Sequence, residues 1–473
     1  MSLGRRTFLI AAAAAATSPR SVVASADPVL RPEDFGARGD GVSNDSDAFT
    51  ALSRVIEQRS GGTIELASGR TYIVGRQRRG ADVAFAAQPL LAFSRLTRPL
   101  TILGNRACLR AAPGLRFGSF DQRSDRAADR PLPNLDQSLM ASPYLGMIVV
   151  EGCDGPIEIR DIELDGNSAN LRIGGRYGDS GWQVPGSGLY LADNMDEEVI
   201  DNVFSHDHPL DGAIIAGNPD RKKRSQFVRL VCRSNGRQGL SLVGGRGYDF
   251  RDCEFARSGR GRVTSSPAAG LDLEAEDKKI RDLTFTSCSF IDNVGAGLIA
   301  DNGDSSGLLF SDCTFVGTTS WSAWPNKPRV SFDRCTFAGA VVHPYASHDP
   351  AQAARFLRCR FTDDPTLSPT GKLYFGGPSG PVANVDPSDN VLFDDCRFDL
   401  RHSGVLPWSW RALYRNCAMS QTSRIPAMTK GKYLGRTVIK GPVDLYGSMI
   451  EGSLILNGKT IPLGPVGRGF SPW

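Results

Sequence analysis

The residues best suited to chemistry gather in three short stretches. Asp272-Leu273-Glu274-Ala-Glu276-Asp277 sets two carboxylates two apart, on one face of an extended strand, with no lysine between them. Neighbouring like charges repel, so one carboxyl keeps its proton while the other ionises. That division suits acid–base work, and the same pair could seat Ca²⁺. Asn235-Gly-Arg237-Gln238-Gly239 supplies a cation and an amide able to orient or stabilise an anion. His206-Asp207-His208-Pro-Leu-Asp211 holds two of the five histidines and a further carboxylate. An imidazole is a base near neutral pH.

These stretches sit in a repeat. F-x-x-C-x-F recurs at Cys253, Cys288, Cys313, Cys335, Cys359 and Cys396, with a weaker copy at Tyr414-x-x-Cys417-x-Met419. The cysteines lie 35, 25, 22, 24, 37 and 21 residues apart, an irregular period that marks a solenoid. Cys and the following Phe share a strand face, whereas the first Phe has opposite parity. A phase slip over polar pairs such as Asp333-Arg334 therefore predicts a sharp bend between two short strands. A third strand reads Gly-Leu-x-Leu, as in Gly239–Leu242 and Gly270–Leu273. Three stacked strands per coil make an all-β parallel β-helix. The cysteines become small rungs of an internal ladder, and no C-x-x-C metal or redox spacing occurs among the ten.

Alignment on Gly188, Gly212, Gly239, Gly270 and Gly297 sends the leucines inward and the plus-two and plus-four positions to solvent. The plus-two column is Tyr190, Ile214, Ser241, Asp272 and Ile299; the plus-four column is Ala192, Ala216, Val243, Glu274 and Asp301. Polar residues concentrate across the middle coils, beside a long loop at 256–269 that would wall a groove. The candidate catalytic set is Asp211, Asp272 and Glu274. The candidate binding set is His206, His208, Arg237, Gln238, Ser241, Tyr190 and Asp301. Arg237 could equally form an ion pair with Asp272 or Glu274 of the next coil.

Residues 1–26 read as a leader. Arg5-Arg6-Thr-Phe8-Leu9 is a twin-arginine signature, Ile10 to Ala16 is a short apolar run, and Ala24-Ser25-Ala26 is a cleavage site. The run is too short for a membrane anchor. Export in the folded state would place the mature chain in the periplasm or outside the cell, and agrees with unpaired thiols. Formal charge is +4, or about +1 without Arg5, Arg6 and Arg20, which is no nucleic-acid footprint. The expected organisation is a cap segment over 27–74, the β-helix over 75–420, poorly periodic over 75–146 where 76–79 and 120–139 read as inserted loops and 101–110 as fragments of one coil, and final strands or a cap over 421–473.

Asp34-Phe35-Gly36-Ala37-Arg38-Gly39-Asp40-Gly41 leads into Asn44-Asp45-Ser46-Asp47-Ala48. Ala48, Leu52, Val55 and Ile56 follow at helical spacing, then a Gly61-Gly62 turn into a strand. This resembles the N-terminal signature of the pectate lyase superfamily, in its rhamnogalacturonase-like and epimerase-like members. The resemblance implies a right-handed parallel β-helix capped by a short helix, with a groove that binds a polysaccharide. Residues 235–242 and 267–274 also resemble a subgroup assigned to carbohydrate metabolism. The reaction motifs differ: there is no Asp-Pro-His, no Gly-His-Gly and no Arg-x-Pro-x-x-Arg, the coils of the three polar stretches carry no Asp-Asp pair, and Gly236-Arg-Gln-Gly239 stands where Gly-His-Gly would fall.

Three functions are compatible with that groove. A glycoside hydrolase would use Asp272, Asp211 and Glu274 as acid and base and require no cofactor. With Asp211 and Asp272 two coils apart, at about 9.6 Å of rise, its geometry approaches that of inverting enzymes. A polysaccharide lyase or uronate epimerase would take His206 or His208 as base, Arg237 and Gln238 as stabilisers, and Ca²⁺ on Asp272 and Glu274. A non-catalytic module would bind the polysaccharide only. In each, Trp321, Trp324, Trp408 and Trp410 could stack on pyranose rings. The acid-rich outer face favours the hydrolase.

Overall fold

The computed structural model of the chain describes residues 28–129, 131–132, 137–177, 184–377, 380–385 and 389–467; the expected leader lies outside them. Thirty-seven strands form one hydrogen-bonded system whose pairs are almost all parallel, wound as a right-handed β-helix. In a typical coil, a strand ending at Arg251 bends into Glu254–Ala256, and a loop then leads to Leu271–Leu273.

The bend has a specific backbone cause. The residue before each repeating cysteine is left-handed: Asp252, Ser287, Asp312, Arg334, Arg358, Asp395 and Asn416 all have φ between 52° and 55°. Each is unbranched at Cβ, as that region requires. The slip turns both phenylalanine columns inward. Phe250, Phe285, Phe310, Phe332, Phe356 and Phe393 stack in one column, with ring centres 4.5–5.1 Å apart. Phe255, Phe290, Phe315, Phe337, Phe361 and Phe398 stack in the other.

All ten cysteines are free and buried. From Cys253 to Cys417 each thiol donates to a carbonyl of the preceding coil, as Cys335 Sγ does to Phe310 O at 3.4 Å and Cys396 Sγ to Phe356 O at 3.2 Å. Three cysteines lie outside this ladder. Cys232 pairs in register with Phe255, and Leu230 takes the rung. Cys108 lies in register with Glu163 on an outer face, and Cys153 sits in a turn. Burial holds the Cys232 and Cys359 thiols well above their ordinary value.

The glycines that open the third strands are required by close approach. A Cβ on Gly188, Gly212, Gly239 or Gly270 would meet the carbonyl of the next glycine in the column at 2.6–2.8 Å. Their strands stack in register: Tyr190 opposite Ile214, Ile214 opposite Ser241, Ser241 opposite Asp272, and Asp272 opposite Ile299. The plus-two column is therefore as expected. The plus-four column is not, because a bulge sets Ala216 opposite Gly244 rather than Val243.

Helix α1, Ser46–Arg59, closes one end by burying Phe49, Leu52 and Ile56, and Ser53 Oγ donates to Leu90 O at 2.9 Å. Asp45 occupies the N-cap position without capping. Its carboxylate instead accepts the backbone N–H groups of Arg38 (2.8 Å) and Gly39 (3.1 Å), tying the glycine-rich segment to the helix. At the other end Ser453–Leu456 and Lys459–Ile461 form an antiparallel hairpin. The expected loop at 76–79 is instead a strand: Gln77–Arg79, Phe85–Ala87, Arg116–Ser119 and Met140–Ala141 join Arg172–Gly174 in a five-stranded side sheet. Among the described residues no helix is long and apolar enough to cross a membrane.

Candidate functional site

The outer face of the third-strand sheet carries a compact polar cluster. Asp272 occupies the middle of Leu271–Leu273 and is only 2% exposed. Gln238, at the turn before the preceding coil's third strand, donates from Nε2 to Asp272 Oδ2 at 2.6 Å. The Glu274 carboxyl is close enough to Asp272 to act on it electrostatically. Burial first, and the Glu274 carboxyl second, push Asp272 well above the ordinary carboxylate range. Burial thus favours the proton on Asp272, and Glu274 is the member that reaches solvent. Gln238 Oε1 and Ser241 Oγ, both enclosed, have no partner among the described residues.

Asp211 and Arg237 form a second, interlocked unit. Arg237 Nε donates to Asp211 Oδ1 at 2.9 Å and Nη2 to Oδ2 at 2.6 Å, with Asp211 fully buried and Arg237 nearly so. The ion pair runs back one coil, not forward to Asp272 or Glu274. Burial opposes the guanidinium charge, but Asp211 outweighs it and raises Arg237 above its ordinary value; Glu274 and Asp272 add to this. Both Asp211 oxygens are occupied, which leaves that residue to position Arg237.

Burial is the main departure from the expected groove. Asp272 and Ser241 were to face solvent, yet both are covered. The loop at 256–269 contributes, since Ser265 N donates to Gly236 O at 2.9 Å and Gly239 N to Ala269 O at 3.0 Å, clamping the loop against the turn that carries Arg237 and Gln238.

The histidines do not join this cluster. His208 is wholly enclosed. Its Nε2–H donates to Leu164 O at 3.0 Å, so Nδ1 accepts from the Tyr144 hydroxyl at 2.9 Å. Burial lowers its pKa to about 3, so it is neutral. His208 is accordingly a buried framework residue, which corrects its expected part in binding. His206 lies on the outer face of the second-strand sheet, stacked on Phe204 with ring centres 4.2 Å apart. Nδ1 contacts Asp207 at 2.8 Å and Nε2 contacts Glu163 at 3.2 Å. Burial opposes its charge, but Asp207, Asp165 and Glu163 outweigh this and raise its pKa.

Tyr190 lies three strands from Asp272 along the plus-two row, half-buried. Asp301 lies one coil on from Glu274, but the register slips by one residue between the pairs Asp272–Ile299 and Ala275–Gly303, so the two are not directly opposed in an unbroken ladder. Asp301 is half-exposed and accepts from Asn326 Nδ2 at 3.0 Å. The acidic surround of His206 was absent from the candidate set. The alternation in Ile157–Asp165, which turns Glu163 and Asp165 outward, is the signal that could have found it.

No family model matches the sequence, and no curated protein matches it either. Similar solved structures include the A-module of Azotobacter vinelandii mannuronan C-5 epimerase AlgE6, at 14% identity over 90% of this chain and 99% of that one, with a TM-score of 0.47. The tailspike of Escherichia coli bacteriophage HK620, solved with a pentasaccharide, is 9% identical over 91% and 78%, TM-score 0.41. A Thermotoga maritima exopolygalacturonase is 12% identical over 93% and 95%, TM-score 0.32. The fold assignment rests on the strand pairing described above.

Proposed function

We propose that this chain is an exported carbohydrate-active enzyme that hydrolyses glycosidic bonds of a polysaccharide lying along the third-strand sheet. The observation that carries this reading is the Asp272–Glu274 pair, one carboxyl buried and hydrogen-bonded by Gln238, with its pKa raised, beside a second that reaches solvent. In the proposed reaction Glu274 meets the glycosidic oxygen and relays to it the proton held on Asp272, which Gln238 fixes in place. Asp301 is the second carboxyl. It lies in the next coil, across a one-residue slip in register from Glu274. Asp211, with both oxygens on Arg237, supports the site rather than reacting, so the inverting geometry loses its second carboxyl.

Elimination is less well served. A lyase needs an unprotonated base facing the substrate, whereas His208 is enclosed and His206, whose pKa is raised, lies on another sheet. The proposed hydrolysis calls for no metal. The test is incubation of the mature protein with neutral and acidic polysaccharides. New reducing ends without the ultraviolet absorbance of an unsaturated sugar support hydrolysis. Appearance of that absorbance refutes it in favour of elimination.

A further inference from the structure

The plus-two row does not stop at the carboxyl pair. Strand pairing carries it from Asp272 to Ile299 and from Ile299 to Trp324. The next register, Ala323 opposite Val341, brings Trp324 to Val342. Val342 then pairs with Asn384, and Asn384 with Trp408. Asp272 and Trp408 are thus five strand steps apart on one face, about 24 Å at 4.8 Å per step. The row begins acidic and ends aromatic.

At its aromatic end lies a cavity of about 360 Å³, lined by Trp321, Trp408, Phe375, Val342, Pro381 and Asn384. Trp408 is 40% exposed, a large apolar surface to leave in water. Trp321 is held edge-on against Tyr374, with ring centres 4.7 Å apart. The Asn384 side-chain amide faces the same cavity and has no partner among the described residues. Between cavity and carboxyl pair, Trp324 packs on His343 with ring centres 4.8 Å apart.

This combination matches one ligand chemistry. A pyranose ring has apolar C–H faces and a rim of hydroxyls, so it can lie on indole faces while exchanging hydrogen bonds with a single amide. A lipid chain would leave the amide unpaired at a cost, and a polyanion would find no cation among the lining residues. We infer that the Trp321–Trp408 cavity is a pyranose-binding subsite for the same polymer that is cut at Asp272–Glu274. The polymer then lies parallel to the β-helix axis, with its far units at the C-terminal coils. This inference rests on the function proposed above.

The experiment separates the two. Glu274→Gln protein, which should bind without cutting, is run in native gels containing pectin, alginate, xylan, glucomannan or dextran. At least one of these polysaccharides should retard it. Adding Trp408→Ala or Trp321→Ala should weaken the apparent affinity about tenfold, the loss expected for an aromatic anchor. Leu309→Ala, which removes an exposed apolar side chain outside the cavity, is the control. Retardation that the tryptophan changes leave intact overturns the subsite, and so does the absence of retardation by every polymer. Retained cleavage by Glu274→Gln would sink the catalytic reading alone, because binding loss in the tryptophan variants is read independently of turnover.

Discussion

Removing the Arg237 side chain isolates the role of Asp211. In the native protein both Asp211 oxygens accept from Arg237, at 2.9 and 2.6 Å, and the carboxylate is 0% exposed. Arg237→Ala strips both donors and leaves a charge that water cannot reach, a change that costs about 3–5 kcal/mol. Replacing both partners with apolar residues of similar volume, Asp211→Leu with Arg237→Met, removes the charge as well as its partner and should recover most of that loss. The assay is urea unfolding followed by circular dichroism, comparing midpoints at unchanged slope. The pattern expected is a large single-mutant loss and a small double-mutant loss. If Arg237→Ala costs less than about 1 kcal/mol, the pair behaves as a surface contact and the supporting role given to Asp211 is wrong.

Three further outcomes follow from the same structure. His208 should make the fold acid-labile: its pKa falls to about 3 on folding, so the unfolded chain binds the extra proton below about 6.5 and stability drops as pH falls through that window. Thermal melts of His208→Gln should show a shallower acid limb than wild type, and parallel limbs would refute this. Cys335→Ala should cost roughly 1–2 kcal/mol through a small cavity, and thiol reagents should find ten free cysteines that react only on unfolding; peptide mapping that finds disulfides would overturn the ladder. Lysine at both Arg5 and Arg6 should hold the precursor in the cytoplasm, and efficient export of that variant would reject the twin-arginine route.

Much of the architecture was legible in the sequence because a solenoid repeats its constraints. The Phe and Cys positions each meet a copy of themselves one coil on, so stacking marks them by period. The left-handed residue before each cysteine shows as a parity slip. The Gly-Leu-x-Leu strands carried enough register to set Ser241, Asp272 and Ile299 in one row. What could not be read was depth and pairing. Nothing periodic says that the loop at 256–269 clamps onto Gly236, nor that Arg237 reaches back to Asp211. His208 is one residue from a left-handed Asp207, and that turn folds it beneath Tyr144 rather than outward. The slip at Val243 is a local bulge that alignment on glycines passes over. Asp272 and Glu274 were recognisable from their spacing, but which of them keeps the proton depends on burial that only the folded chain reveals.

The central claim, that the Asp272–Glu274 pair performs proton transfer, is tested most directly by the turnover of Glu274→Gln on whichever polysaccharide the wild type depolymerises. The change is nearly isosteric and removes the carboxyl of the pair that reaches solvent. Turnover should fall by about 10²–10⁴-fold with the melting temperature unchanged. Turnover within a few-fold of wild type, in protein that melts normally, would contradict the account.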